Sequence, residues 1–393
     1  MNPRLAEAAK LHFEMGGPAY RFMERIGLIR NGGPSLKRRF VGFLLITWVP
    51  LLLLSLLDGK ALGATPRESL LLDFATYARF FLAVPLIFMA EVVAGPRLRA
   101  AGMQFLQGGF VRPQDLPAVG DAIARVWQRR EAAVPEILML GVALLGAWNL
   151  SLEGLDGATA VTTWRQAGAG LSWAGLWYYW VAVPILQFFM YRWLWRLLIW
   201  ALFLRDLARL DLDLVPTNAD RAAGLGFLGG AHLSLSVFAV AASSVLSAHV
   251  AFQVYFEAVP IQSYQTPFLV YLVLMELLCF GPLLLFLPKL AKARREGLRR
   301  YSLLVNRYNR AFDDKWVSGR ADPVDEPLLG SGDIQSLADL GNSFAMIRDM
   351  KPFPFSQLQV IQIAVISSLP GLPLIFLVMP IGELLNLLAG ALL

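Results

Sequence analysis

The chain has 393 residues, 56% of them hydrophobic and 16% charged, with a formal charge of +6 and a mean hydropathy of +0.54. Soluble domains carry about 25% charged residues, so the composition excludes an ordinary soluble fold. The positive charge does not call for nucleic acid, because basic loops facing anionic lipid account for it.

Apolar stretches fall at 40–57, 80–95, 133–152, 172–191, 230–255, 267–288 and 357–379. Each is close to the roughly 20 residues needed to cross a hydrocarbon core as a helix. Lipid cannot satisfy open backbone groups, and no ten-residue alternating pattern suggests a barrel. The expected fold is therefore all-α, a polytopic helical membrane protein with about seven transmembrane helices. It divides into a cytoplasmic amphipathic arm (1–39), a six-helix transmembrane domain (40–288), a cytoplasmic helical hairpin (289–356) and an interrupted C-terminal membrane helix (357–393). Counted over alternate gaps, 31 Lys and Arg lie on one side and 4 on the other. Basic residues stay in the cytoplasm, which places the N-terminus there.

Residues 1–30 read as an amphipathic helix. Leu5, Leu11, Met15, Phe22, Met23, Ile26 and Ile29 are apolar, while Arg4, Lys10, Arg21, Arg25 and Arg30 can meet lipid headgroups. Packing of this arm on the protein's own loops is the alternative. The first apolar run begins at Phe40, behind Lys37, Arg38 and Arg39, and reads as a retained signal-anchor helix.

An echo links the even-numbered runs. Ala83-Val84-Pro85, Ala182-Val183-Pro184 and Phe280-Gly281-Pro282 are each followed, twelve residues after the proline, by Arg97, Arg196 and Arg294. Three same-orientation two-helix hairpins would produce this echo, and so would the general frequency of proline in membrane helices. These three arginines are candidates for anion or lipid-headgroup contacts. Trp173, Trp177 and Trp180 are expected at the outer membrane interface, and Trp193, Trp195 and Trp200 at the inner one.

Ionisable residues inside spans are costly, so each is a candidate site. Glu91 and Glu136 lie near the cytoplasmic ends of their runs, within expected reach of water. Glu276 lies nine residues into its run, at a depth of roughly 14 Å. It is the sharpest candidate for an ion or solute pathway. His232, Ser236, Ser243 and Ser247 share one helical face, which either lines an aqueous path or packs closely on a neighbour. The single cysteine, Cys279, lies in a predicted span and excludes an intramolecular disulfide.

The stretch 215–229 contains a Gly-x-Gly-x-x-Gly match that no strand precedes, so a dinucleotide site is not expected. It reads as a turn at Pro216 capped by Asn218 or Asp220, with a helix start beside Arg221 that can hold an anion or a lipid phosphate. After it, 289–316 is expected to continue the preceding span as a basic helix. Asp322-Pro323 and Glu326-Pro327 mark a break, and a second helix is expected from Ser331 or Asp333 until Pro352. In the final run, Pro370, Gly371 and Pro373 should interrupt the helix and free backbone carbonyls, a feature associated with substrate sites. Residues 380–393 would then lie at the outer face.

The stretch 215–229 and the segment Asp333-Ile334-Gln335-Ser336-Leu337-Ala338-Asp339-Leu340-Gly341-Asn342-Ser343-Phe344 resemble parts of bacterial polytopic inner-membrane proteins of unassigned function. That resemblance implies a bacterial inner membrane and no particular activity. Asp211-Leu212-Asp213 has no further metal ligands beside it, and Walker, zinc and nucleophile-elbow motifs are missing. No enzyme activity, metal or cofactor is expected. The leading expectation is a channel or transporter for an ion or small solute, with Glu276 in the pathway, His232 near its cytoplasmic mouth and the break at Pro370–Pro373 supplying carbonyls. A non-transporting scaffold or sensor acting through its cytoplasmic helices, or a lipid-handling protein, is the alternative. The helices of 289–356 cannot bury their apolar stripes alone, which favours a homo-oligomer.

Overall fold

The computed structural model describes residues 13, 15–29, 35–156, 163–168, 170–318 and 331–377. Leu5, Leu11, the break at Asp322–Pro327 and residues 380–393 lie outside the described residues. The protein is helical apart from one short hairpin, in which β1 (Gln166–Ala167) pairs antiparallel with β2 (Gly170–Leu171). Among the described residues six helices are long and apolar enough to cross a membrane.

In chain order the helices are α1 (Pro18–Arg25), α2 (Leu36–Leu57), α3 (Phe74–Gln107), α4 (Leu116–Glu131) and α5 (Ala133–Asp156). They continue as α6 (173–209), α7 (Phe227–Phe256), α8 (Ile261–Val317), α9 (Gly332–Arg348) and α10 (Gln357–Ser368). The seventh expected span, 172–191, lies in α6. That helix is not among the six, because its Trp, Tyr and Gln residues dilute its hydropathy.

Burial sorts the helices. About half of the apolar stretches of α3 (50%) and α7 (56%) lies inside, against 17–22% for α2, α5, α8 and α10. Without water to drive apolar surfaces together, close approach depends on small residues. Ala239, Ala241, Ala242, Ser243, Ser247 and Ala248 of α7 are all buried. The serine face packs on the 3₁₀ turn Leu369–Leu377 that extends α10, where Gly371 lies against Ser247 and Phe268.

The echo around Pro85 and Pro184 has a structural counterpart. Asp73 and Ser172, each twelve residues before its proline, cap short helices with their side chains. A π-helical turn follows in both cases (Ala78–Ala83 and Tyr178–Ala182), and then a long α-helix starting at Val84 or Val183. Such turns recur at functional sites. The third segment departs from this pattern, because Pro282 lies in a 3₁₀ turn, Gly281–Phe286.

Beyond α7 the helix bounds match those read from the sequence. The span at 267–288 continues without a break through Val317, and α9 starts after Ser331, whose hydroxyl accepts the Asp333 N–H. The N-terminal arm docks on the helices. Phe13 is buried edge-on against Trp200, with ring centroids 5.0 Å apart, and Met23 and Ile29 are buried, while Phe22 and Ile26 face outward.

Candidate functional site: a buried ion network and an adjoining cleft

Five charged side chains meet inside the helix bundle. Glu91 of α3 accepts from Arg39 of α2 through Oε2 and from Arg196 of α6 through Oε1. One turn along α6, Arg192 pairs with Glu136 of α5 at 3.2 Å and donates to the Gly16 carbonyl at 2.8 Å. Glu136 also accepts the Ala19 N–H at 2.6 Å. The Arg39 guanidinium lies 4.3 Å from the centre of the Phe88 ring. All five side chains are at most 10% exposed.

The expectation that Glu91 and Glu136 reach water is therefore overturned. Both are buried, because arginines from neighbouring helices supply the hydrogen bonds that water would have made. The network joins α2, α3, α5, α6 and the N-terminal arm. The inner tryptophan belt is overturned for two of its three members, while Trp195 is half-buried. Trp193 and Trp200 are buried, with their indole N–H groups donating to the Ile87 carbonyl at 3.0 Å and to His232 Nε2 at 2.7 Å. Trp173 and Trp180 do face outward.

A cleft of about 730 Å³ runs between α6 and α7. Its wall extends along α6 from Tyr178 to Leu194, about 24 Å at 1.5 Å per residue. One end is polar, with Arg79, Arg165, Tyr178, Tyr179, His249 and Gln253. The other end is lined by Leu186, Met190, Leu194, Phe238 and Met275, with Gln187 between them. The Gln187 Oε1 atom is buried without a hydrogen-bond partner.

The polar end is built by the paired segments. Arg79 and Tyr178 each stand six residues before their proline, and Arg79 donates to the Tyr178 hydroxyl at 2.7 Å. Asp73 caps its helix by accepting the Ala75 and Thr76 N–H groups, and its Oδ2 accepts from the Trp164 indole at 2.9 Å and from Arg165 at 2.6 Å. Gly175 lies so close to the Arg165 backbone that any side chain there would collide with it, which holds Arg165 at the cleft.

Burial opposes ionisation of Asp73, but the Arg165 charge and the Trp164 and Thr76 hydrogen bonds outweigh it and hold the carboxyl below its ordinary value of 3.8. A depressed carboxyl stabilises the fold fully above its unfolded value and loses that contribution as pH falls through the folded one. The 163–168 segment is accordingly expected to lose protection from hydrogen exchange only below pH 3.8, and Asp73→Ala should expose it at neutral pH. Full protection in that variant would sink the assignment.

The other sequence candidates are dispersed. His232 is fully buried, held between the Trp200 indole and the Cys279 carbonyl. Ser236, Ser243 and Ser247 lie in packed surface, and the Ser247 hydroxyl has no hydrogen-bond partner. Glu276 is half-buried on α8, its carboxylate oxygens are without hydrogen-bond partners, and it does not line the cleft. Pro370, Gly371 and Pro373 lie in the 3₁₀ turn against α7. Arg97 is exposed, and Arg294 donates to the Arg348 carbonyl at 2.7 Å, tying α8 to α9.

Arg221 has a positive φ of 56° in a loop ordered by Asp220. The Asp220 carboxylate accepts the N–H groups of Ala222, Gly224 and Gly226 at 2.7–3.0 Å. The loop thus supplies its own anion to donors otherwise open to a phosphate. Asp220→Ala is expected to destabilise by about 1–3 kcal/mol per donor left buried, read from the unfolding midpoint, and an unchanged midpoint would show that water replaces the carboxylate.

Arg79, Arg165, Tyr178 and Gln187 were not singled out from the sequence. The one available signal was their place relative to Pro85 and Pro184, since the two echoed segments meet at Arg79 and Tyr178. Among the described residues no three His, Cys, Asp or Glu side chains cluster as metal ligands. Compared with known protein families, curated proteins and solved structures, the chain matches none.

Proposed function

We propose that this chain is a membrane transporter whose solute occupies the cleft between α6 and α7. The observation that carries this reading is the cleft itself. It is long enough to reach across much of a bilayer, polar at one end and apolar at the other, and of the size that small ligands occupy. The buried ion network supports the reading, since it locks α2, α3, α5 and α6 into one frame that holds the α6 wall of the cleft. With the basic loops inside, the polar end opens outward, and Arg97 and the basic residues of α8 meet anionic lipid in a bacterial inner membrane.

The test is flux in proteoliposomes, with K⁺, Na⁺, H⁺, Cl⁻ and small organic solutes assayed separately. Flux that Gln187→Leu reduces while Glu276→Gln leaves it intact supports the cleft. The reverse result would move the pathway to the far side of α8, through Glu276. Silence towards every solute, from protein shown to be folded and inserted, would abandon transport in favour of a scaffold acting through α8 and α9.

A further inference from the structure

The charge and shape of the cleft indicate what it takes, an inference that rests on the cleft reading above. At the polar end two guanidinium groups share one carboxylate. Asp73 is paired with Arg165 at 2.6 Å. Among the described residues Arg79 makes no ion pair, and it donates to the Tyr178 hydroxyl. Glu257, the one acidic residue on the wall among the described residues, is exposed at the rim. Among the described residues the head of the cleft thus sets two guanidinium groups against Asp73, with Glu257 out at the rim. The Arg165 Nε atom is also buried without a hydrogen-bond partner, a donor waiting for an acceptor.

Beyond Tyr179 the lining is mostly apolar, interrupted by Gln187 and Tyr191. A volume of about 730 Å³ spread over roughly 24 Å of helix gives a mean cross-section on the order of 30 Å². That is room for an extended alkyl chain. We infer that the ligand of the cleft is a single-chain anionic amphiphile. Its carboxylate or phosphate head sits at Arg79 and Arg165, and its alkyl chain runs along α6 from beyond Tyr179 to Leu194. A planar, delocalised guanidinium pair suits either oxyanion.

The test is competitive labelling of Val245→Cys, at a half-buried position on the cleft wall, by a membrane-permeant maleimide in nanodiscs. The native Cys279 is 2% exposed and gives little background. Hexadecanoate or hexadecyl phosphate is expected to slow labelling at least about tenfold at concentrations where hexadecanol does not, as charge-assisted hydrogen bonds to the head require. The more effective of the two identifies the head as carboxylate or phosphate. Arg79→Gln should abolish the protection and leave the unprotected labelling rate unchanged. Equal protection by hexadecanol, or free labelling that neither anion slows, overturns the amphiphile while leaving a cleft for some other solute. A folded variant whose introduced thiol never labels closes the cleft itself and overturns both readings.

Discussion

Glu91→Ala is expected to destabilise the protein by about 3–5 kcal/mol, the usual consequence of removing one partner from a buried ion pair. The loss arises because Arg39 and Arg196, 1% and 7% exposed at the side chain, would be left in a helix interface without their shared counter-charge. Neither can relax into water, since each comes from a different helix packed around α3. Glu91→Gln should cost nearly as much, because it keeps the shape and loses the charge. The readout is the unfolding midpoint in mixed micelles. A shift equivalent to less than about 1 kcal/mol, the size of an ordinary single substitution, would show that water reaches the site after all. Replacing all three residues by apolar ones of similar volume (Arg39→Met, Glu91→Leu, Arg196→Met) should recover much of the loss, because the desolvation cost disappears along with the attraction. A triple variant that is stable but inactive would give the network a role in the transport cycle as well as in the fold.

The second large effect is on transport. Val245 sits half-buried on the α7 wall of the cleft, opposite α6. Val245→Trp puts an indole into open space, so overpacking costs little and stability should change by less than about 1 kcal/mol. Solute flux should fall at least about tenfold, since a bulky aromatic group removes much of the apolar floor on which the solute lies. Glu276→Gln is the matched control, at a position off the cleft. Equal flux in Val245→Trp and the unaltered protein would exclude the cleft as the pathway, whatever the stability of the variant.

Most of the architecture was readable from residue order. Helix length and apolarity are local properties, and every expected span except 172–191 coincides with a helix that qualifies as a candidate span. The start of α9 was readable too, because a serine cap followed by an apolar stripe acts within one turn. The docking of Phe13 on Trp200 was not readable, since an amphipathic arm has the same pattern whether it meets lipid or protein. The same limit affected the tryptophans of α6, because an indole N–H can be satisfied by headgroups, by Ile87 or by His232 with no difference in sequence.

Amino-acid order alone determined that this is a helical membrane protein. Residue-by-residue hydropathy and the distribution of Lys and Arg act through the bilayer, a solvent that reads each segment separately. The association of Glu91 with Arg39 and Arg196, of Asp73 with Arg165, and of Arg79 with Tyr178 was decided by tertiary structure. Those partners lie 52 to 105 positions apart. Only helix packing brings them within hydrogen-bond distance, and ion pairing and cleft formation depend on that distance.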